Sequence, residues 1–405
     1  MSAGPEFGID RLLAEPALRR ELAGRRVALL AHPASVTASL THSLDALHAT
    51  GDLRLTAALG PQHGLRGEKQ DNMIESPDFM DPALGIPVFS LYGEVRRPTD
   101  AMLDSFDVLL VDLQDLGCRI YTFATTLCYV LEAAAASGKT VWVLDRPNPA
   151  GRPVEGLTLR PGWESFVGAG PMPMRHGLTL GELAAWFVAE QRLDVDWSVV
   201  AMHGWQPANG PGHGWPTGER SWVNPSPNAA SLSMARAYAG SVMLEGTTLS
   251  EGRGTTRPLE VLGAPDLDVH ALLSCMEGLA PDWLAGCTLR PCWFEPTFHK
   301  HAGQLCAGFQ VHVDHPAYRH ELFRPWRLFA LAFKALRQLR PDYPLWRDFA
   351  YEYVTDRPAI DVINGSQLLR EWVDDPSAAP GDLDALAARD EHLWQQRREA
   401  WLLYR

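Results

Sequence analysis

The sequence predicts an α/β protein in which a Rossmann-like domain with a parallel sheet precedes a smaller C-terminal α+β domain. Three observations predict this fold. Short apolar runs recur at the spacing of β–α–β units, helix-forming stretches lie between them, and polar residues follow several runs. The chain has 405 residues, 46% of them hydrophobic, which is enough for two domains with a substantial core. We place these domains at residues 1–260 and 261–405.

Five strands are predicted in the first domain. Each is a short run that is apolar almost throughout, as expected of parallel strands buried on both faces. They cover residues 26–31, 53–59, 86–91, 108–112 and 140–144. A helix is predicted over 122–137, because Gly138 is a typical C-cap residue. Thr179 and Glu182 have the spacing of a capping box and predict a helix that reaches about residue 191.

The composition changes in the second half of the chain. Residues 204–228 are rich in Gly, Pro, Trp, Ser and Asn, which predicts a long loop folded over a pocket. Further on, the pattern predicts a helix, strands at 288–294 and 308–313, and amphipathic helices at 318–339 and 383–403. The last helix is expected either to cover the C-terminal domain or to form the surface of a homo-oligomer.

The net charge argues against nucleic-acid partners. It is -13, with a pI near 5.5, and no stripe of Lys and Arg interleaved with aromatics overrides it. The first ten residues lack the basic and apolar regions of an export signal, and no apolar run reaches the roughly 18 residues of a membrane helix. We therefore expect a soluble, cytoplasmic protein without a membrane partner.

The motifs of cofactor and metal sites are missing. Residues 32–36, after the first strand, contain no G-x-G-x-x-G, and neither a G-x-x-x-x-G-K-[ST] loop nor a G-x-S-x-G elbow occurs. The six cysteines show no C-x-x-C spacing, and His299 and His301 are two residues apart, which is unusual for zinc ligands on a helix. We expect no cofactor and no metal.

Polar clusters follow three of the predicted strands, at residues 60–68, 112–121 and 145–149. Open α/β sheets bind ligands beyond the carboxyl ends of their strands, so three such clusters predict one polar pocket. The chain is therefore predicted to be an enzyme.

Carboxylates are the remaining candidates for chemistry in this pocket. Hydrolysis of a glycosidic bond needs one protonated carboxyl and a second group that activates water or binds the sugar. Asp112 and Asp145 end strands, so they could instead cap helices or pair with Arg119 and Arg146. The candidates are Glu68, Asp112, Asp115, Asp145, Glu245 and Glu251, of which Glu68 could equally be a solvated surface charge.

Two tryptophans in the predicted loop also suit a sugar. The indoles of Trp205 and Trp215, each preceded by His-Gly, could stack on a pyranose ring. The alternative is that these segments pack their own indoles.

Taken together, these motifs resemble the NamZ-type exo-β-N-acetylmuramidases, sequences formerly classed as a domain of unknown function. The resemblance spans roughly residues 20 to 315, in order and at family-like spacing. It rests on residues 61–67, 90–93, 112–117, 119–122, 144–149, 175–179, 225–228 and 244–258.

The resemblance implies a Rossmann-like domain with the active site in a cleft and a smaller auxiliary domain. It also implies removal of a terminal β-linked N-acetylmuramic acid from the non-reducing end of peptidoglycan fragments, during cell-wall turnover and recycling. The lactyl carboxylate of that sugar needs a cation, which Arg66, Arg119, Arg175, Arg253 or Arg257 could supply. Further sugar contacts are expected from the motif residues Tyr121, Asp145, Asn148, His176, Asn228, Glu245 and Thr256.

One residue departs from the family pattern. Family members read Pro-Glu-His-Gly where this chain has Gln62, and that glutamate is the leading candidate for the catalytic acid. Glutamine cannot give up a proton at neutral pH. We therefore expect Glu68 or Asp115 to act as the general acid, His63 and Gln62 to orient the sugar, and Asp112 or Asp145 to support the attacking water.

Two alternatives to hydrolysis remain open. If Gln62 has disabled the reaction, the cleft would be a sensor or carrier for muropeptide fragments. The reaction could also have changed to another one on carbohydrates, such as glycosyl transfer or elimination from an amino sugar. A carboxylate that reaches the Gln62 position would favour the hydrolase.

Overall fold

A computed structural model describes residues 4–67, 69, 73–208 and 213–405. The helices in these ranges are α1 (Gly8–Ala14), α2 (Pro16–Glu21), α3 (Ser43–Ala49), α4 (Asp100–Leu103), α5 (Thr122–Ser137), α6 (Leu180–Gln191), α7 (Leu232–Ser241), α8 (Val269–Leu279), α9 (Pro325–Leu339), α10 (Ala359–Asn364), α11 (Leu368–Asp374) and α12 (Pro380–Arg398). The strands are β1 (Arg26–Ala31), β2 (Arg54–Gly60), β3 (Phe79–Met80), β4 (Pro87–Ser90), β5 (Val108–Asp112), β6 (Thr140–Leu144), β7 (Asp196–Val200), β8 (Val261–Ala264), β9 (Thr288–Phe294) and β10 (Cys306–His312). Short 3₁₀ turns occupy Val242–Gly246, Pro281–Leu284 and Glu399–Trp401.

A mostly parallel sheet forms the first part of the molecule. Its strand order is β3-β4-β2-β1-β5-β6-β7, and β3 pairs antiparallel with β4. Helices cover both faces. Alternate residues of β5 face opposite sides, since Leu109 and Val111 pack with α5 and α6, whereas Val108 and Leu110 pack with α1 and α3. This is the predicted Rossmann-like architecture.

A three-stranded antiparallel sheet, in the order β8-β10-β9, forms the smaller second part with α8 and α9. The predicted fold class is confirmed. The domain boundary near residue 260 stays a prediction.

The two parts are tightly joined. Glu155 accepts hydrogen bonds from the backbone nitrogens of Trp326 (3.2 Å) and Arg327 (2.9 Å), so a carboxylate caps the amino end of α9. Gly240 allows α7 to approach α9 closely, because a Cβ there would lie 2.0 Å from the Pro325 carbonyl oxygen. The site described below lies beside this junction.

Most predicted elements are present. All five predicted strands form, Gly138 ends α5 with a φ of 65°, and Thr179 and Glu182 make a complete capping box. Three strands were not predicted: β3 has only two residues, β8 has only four, and β7 lies at a half-exposed edge with Asp, Trp and Ser in place of a continuous apolar run.

Two predicted helices have different bounds. The helix expected over 318–339 begins at Pro325, which is favoured in the first helical turn, and the one expected over 383–403 begins at Pro380 and ends at Arg398. No helix within the described ranges is long and apolar enough to cross a membrane.

Candidate functional site

A polar pocket lies where the parallel sheet meets the C-terminal part of the chain. About 430 Å³ of space, part of it open to solvent, lies between the lining atoms. The loop after β2, the amino end of α5 and the 3₁₀ turn after α7 supply one wall, and residues 351–352 supply another. Its lining residues are Gln62, His63, Ile120, Tyr121, Thr122, Val167, Ser226, Asn228, Met234, Tyr238, Glu245, Arg253, Leu259, Tyr351 and Glu352.

A tight turn brings Glu352 into this pocket. Tyr351 and Val354 pair through two backbone hydrogen bonds of 3.2 and 3.0 Å. Between them, Glu352 and Tyr353 have positive φ angles of 45° and 68°. Left-handed backbone is unfavourable for residues other than glycine, and it persists only where surrounding contacts hold it. Surrounding contacts therefore fix this turn, which presents the Glu352 carboxyl to the pocket.

Glu352 is buried, with 5% of its surface exposed. One oxygen accepts a hydrogen bond from the Gln62 side-chain nitrogen (3.2 Å), and the other accepts one from the Tyr92 hydroxyl (2.8 Å). Burial, helped by the nearby Glu245 charge, raises the pKa of Glu352 to about 7, although the hydrogen bonds from Tyr92 and Gln62 lower it. A carboxyl with such a pKa is partly protonated at neutral pH and can donate a proton.

Gln62 has a fixed orientation. The Thr122 hydroxyl donates to its side-chain oxygen at 2.8 Å, which leaves the amide nitrogen to face Glu352. A carboxylate therefore lies directly beside Gln62, and it comes from a part of the chain 290 residues further on.

Glu245 is the second carboxylate of the pocket. It pairs with the Arg253 guanidinium at 2.5 Å and accepts a hydrogen bond from the Tyr351 hydroxyl at 2.8 Å. Because Tyr351 precedes Glu352 directly, Glu245 also anchors the turn that carries Glu352.

Three more predicted residues line the pocket. His63 has a φ of 72°, and its Nδ1 lies 2.9 Å from the Lys69 carbonyl oxygen. Tyr121 and Asn228 add polar groups that suit sugar hydroxyls. Together with Gln62, Glu245 and Arg253, six of the predicted site residues are therefore brought together.

Asp112 and Asp145 do not line this pocket. Asp112 is fully buried and pairs with Arg146 at 2.5 Å, with a further hydrogen bond from Ser43. Asp145 accepts hydrogen bonds from the Thr179 and Tyr404 hydroxyls and from the Gly181 backbone at the start of α6. Asp112 is thus in an ion pair and Asp145 caps a helix, which are the structural alternatives that the sequence left open for these residues.

Asp115 and His176 form a separate buried pair. Asp115 Oδ2 lies 3.5 Å from His176 Nε2 and accepts a hydrogen bond from the Gly117 nitrogen at 2.6 Å. His176 is fully buried, and Asn148 is held by the Leu178 carbonyl and the Ala150 nitrogen. None of these three lies among the lining residues.

The predicted cations other than Arg253 lie elsewhere. Arg119 and Arg175 are buried and donate to backbone carbonyls, those of Ile363 and of Ala150 and Phe323 respectively. At the surface, Arg66 lies 3.3 Å from Asp45, Arg257 lies 3.4 Å from Glu260, and Thr256 is exposed. Glu68 lies outside the described residues.

The contacts of the tryptophans bear on two further predictions from the sequence. Trp205 and Trp215 are each 7% exposed and donate to backbone carbonyls, so the segments pack their own indoles, which was the alternative to sugar stacking. Trp394 of α12 is buried, donates to the His176 carbonyl and contacts the Trp186 ring, so the last helix packs on the first part of the chain, whereas it was expected to cover the C-terminal domain. Within the described ranges, no group of three or more His, Cys, Asp or Glu residues could hold a metal ion.

Sequence reasoning missed Glu352, Tyr351 and Tyr92. The only local signal is a glutamate between two tyrosines in a segment without helical or strand period. Its proximity to Gln62 depends on packing between parts of the chain 290 residues apart.

The fold and pocket define an α/β protein with a buried acid, built from two parts of one chain. Residues 27–233 match the N-terminal profile, and residues 236–404 the C-terminal profile, of "Exo-beta-N-acetylmuramidase NamZ". The chain belongs to this NamZ family.

Individual relatives agree with this assignment. The "Peptidoglycan beta-N-acetylmuramidase NamZ" of Bacillus subtilis (strain 168) is 42% identical over 309 residues, which are 76% of this chain and 72% of the relative. Crystal structures of two DUF1343 family proteins from Bacteroides fragilis NCTC 9343 superpose over the whole chain. The first has a TM-score of 0.83 at 28% identity, and the match covers 100% of both chains. The other, with a TM-score of 0.75 at 24% identity, is covered to 99% and shows likeness of fold.

Proposed function

We propose that this chain is an exo-β-N-acetylmuramidase that removes terminal β-linked N-acetylmuramic acid from the non-reducing end of peptidoglycan fragments. Membership of the NamZ family and the named activity of the Bacillus subtilis relative support this function. The observation that carries it is the buried Glu352 carboxyl, whose pKa of about 7 suits a proton donor to a glycosidic oxygen.

In this mechanism Glu352 is the general acid. Its proton passes to the glycosidic oxygen while the bond from the sugar C1 to that oxygen breaks, and the bonding electron pair leaves with the oxygen. Water then supplies a hydroxyl to C1, and its remaining proton passes to the Glu352 carboxylate, which restores the acid. The negative charge of Glu245 stabilises the oxocarbenium-like transition state.

Gln62 supports the acid. Its amide nitrogen donates to Glu352, and Thr122 prevents the amide from turning. The proton donor thus moves from position 62, where the family resemblance puts it, to Glu352. Glu68 and Asp115 stay competing predictions for the same role, and the variants below separate them.

The sugar is expected to contact the remaining pocket residues. Tyr121, Ser226 and Asn228 offer hydrogen-bonding groups for hydroxyl and acetamido substituents. Arg253 is the cation among the described lining residues, so we assign it the lactyl carboxylate, with Glu245 sharing its guanidinium.

The test is hydrolysis by the purified protein of a MurNAc-β-1,4-GlcNAc disaccharide and of para-nitrophenyl β-N-acetylmuramide, with the β-N-acetylglucosaminide as the substrate control. Glu352→Gln should lower turnover of the disaccharide by about 10²- to 10⁴-fold, the usual contribution of a general acid. Glu277→Gln, an exposed change on α8, should leave it unchanged. Glu68→Gln and Asp115→Asn should retain activity.

Two results would overturn parts of this proposal. Loss of activity in Glu68→Gln or Asp115→Asn, with Glu352→Gln active, would move the acid to that other carboxyl. If the wild-type protein turns over neither muramide but binds muramic acid saturably in calorimetry, the chain is a muropeptide-binding protein, the alternative that Gln62 raises.

We also propose a place in cell-wall recycling and a cytoplasmic location, as expected from the sequence. The peptidoglycan substrate named for the Bacillus subtilis relative supports the former. Fractionation of cells that express the native gene would test the location, and recovery outside the cytoplasm would refute it.

A further inference from the structure

A second cluster of buried charges lies directly behind the pocket. Glu251 is fully buried and pairs with the Lys300 ammonium at 2.7 Å and with the Arg253 guanidinium at 3.2 Å. His299 Nδ1 lies 3.3 Å from the same carboxylate. The mechanism above uses neither Glu251 nor Lys300. Burying an ion pair is unfavourable unless its geometry is good, so the presence of this pair needs an explanation.

Lys300 also holds the backbone that carries Glu245. Its ammonium donates to the carbonyl oxygens of Leu244 (2.7 Å), Thr247 (3.0 Å) and Leu249 (2.6 Å). These three carbonyls bracket Glu245, so one side chain fixes the path of this loop.

The segment around Lys300 has an unfavourable backbone conformation. Its neighbours His299 and His301 have positive φ angles of 67° and 57°. His301 Nε2 lies 2.8 Å from the Thr248 carbonyl oxygen and fastens the segment to the same loop. Backbone of this kind is retained where the surrounding contacts determine it, often at functional sites.

A continuous series of contacts joins this cluster to the acid. Glu251 pairs with Arg253, Arg253 pairs with Glu245, and Glu245 accepts the hydroxyl of Tyr351. Tyr351 opens the turn whose next residue is Glu352.

We propose that Lys300 and Glu251 are positioning residues for the reaction: through Arg253 and Glu245 they hold the Tyr351 turn so that the Glu352 carboxyl meets the glycosidic oxygen. This inference rests on the proposed function. Lys300 compensates the charge of Glu251, so Arg253 can direct its Nη2 to Glu245 and not to Glu251. Without the ammonium, the uncompensated Glu251 draws Arg253 away, and the anchor of Tyr351 is lost.

The charges agree with this role. Although burial raises the pKa of Glu251, the charges of Lys300, Arg253 and His299 lower it to about 2. Glu251 is therefore ionised across the working pH range and depends on both cations.

The experiment compares leaving groups. A nitrophenolate departs with little protonation, whereas the GlcNAc hydroxyl of the disaccharide needs the acid, so a misplaced acid slows the disaccharide selectively. In Lys300→Met, the ratio of kcat/KM for the nitrophenyl muramide to kcat/KM for the disaccharide should rise about tenfold or more, in line with the effect of small misplacements. Tyr351→Phe, which removes only the last hydroxyl, should raise the same ratio.

Lys334→Met is the matched control. Lys334 is buried and, like Lys300, donates to backbone carbonyl oxygens, here those of Trp372 and Asp375, away from the pocket. Its loss should lower the melting temperature without changing the ratio. A ratio in Lys300→Met and Tyr351→Phe equal to that of Lys334→Met would overturn the positioning role.

The crystal structure of Lys300→Met decides the case independently of activity. A broken Tyr351–Glu245 contact would support the inference, and an unchanged Glu352 turn would overturn it. If the wild-type protein hydrolyses neither substrate, the proposed function fails, and this structure still gives its answer.

Discussion

The side-chain amide of Gln62 donates a hydrogen bond to the carboxyl of Glu352 at 3.2 Å, across 290 residues of sequence. The contact joins the loop after β2 to a turn near the end of the chain. An amide at this place can donate to Glu352 and has no charge of its own. The residue that departs from the family pattern is thus an immediate partner of the proposed acid.

Replacing Gln62 by glutamate should shift the pH profile of activity to higher pH. A second carboxyl beside Glu352 disfavours its ionised form and also removes a hydrogen bond that lowers its pKa. Since the acid must be protonated, the alkaline limb of kcat/KM for the disaccharide should shift to higher pH in Gln62→Glu. Gln62→Met, which removes the donor without adding a charge, should shift it less. An unmoved limb in both variants would mean that Glu352 does not control it.

Replacing Glu245 by glutamine should have the opposite effect on pH. The negative charge of Glu245 raises the pKa of Glu352, so its removal lets Glu352 lose its proton at lower pH. The alkaline limb should shift to lower pH, and kcat should fall because the anchor of Tyr351 is weakened. The exposed change Glu277→Gln serves as the control and should leave the profile in place. A shift to higher pH would contradict the assignment.

Asp145 should affect stability rather than catalysis. Burial raises its pKa from 3.8 to about 6, so the folded state holds a proton that the unfolded state loses first. As pH rises from about 4 to about 6, the wild type should lose about 2 kcal/mol of unfolding free energy relative to Asp145→Asn. Urea unfolding at several pH values measures this.

Asp107→Asn is the control for that comparison. Hydrogen bonds from Arg26 hold the pKa of Asp107 at about 2, below the tested window, so its difference from the wild type should stay constant. A constant difference for Asp145→Asn as well would refute the assigned pKa shift.

Two helical glycines should respond oppositely to alanine. Gly240→Ala in α7 would place a Cβ 2.0 Å from the Pro325 carbonyl oxygen, so we expect a loss of about 1–3 kcal/mol of unfolding free energy. Gly278→Ala near the end of α8 meets nothing within 4 Å and should gain about 0.5–1 kcal/mol. Thermal or chemical unfolding of both variants is the measurement. Equal effects would contradict the close approach of α7 and α9.

Local patterns predicted much of the fold because they report local physics. Continuous apolar runs identified the buried strands, and Thr179 and Glu182 identified a helix start. The edge strand β7 was not predicted because its residues are only partly buried and show no continuous apolar run. The helix expected from residue 318 was predicted too long, because it begins at Pro325.

The site was predicted in part for the same reason. Gln62, His63 and Tyr121 follow strands whose ends meet at one edge of the sheet, which sequence reasoning can foresee. Asp112 ends a strand at the same edge, yet its side chain pairs with Arg146, and no sequence pattern separates these two outcomes. Glu352 reaches the pocket through tertiary packing alone.

The turn at Tyr351–Val354 has a consequence for how the protein comes to be an enzyme. The loop that carries Gln62 belongs to the parallel sheet, whereas the proposed proton donor lies 290 residues further along the chain and leaves the ribosome after the whole sheet. A nascent or truncated chain can thus have a finished sheet and still be inert. Mixing separately produced halves would restore turnover only when they dock correctly, so activity itself would report their association.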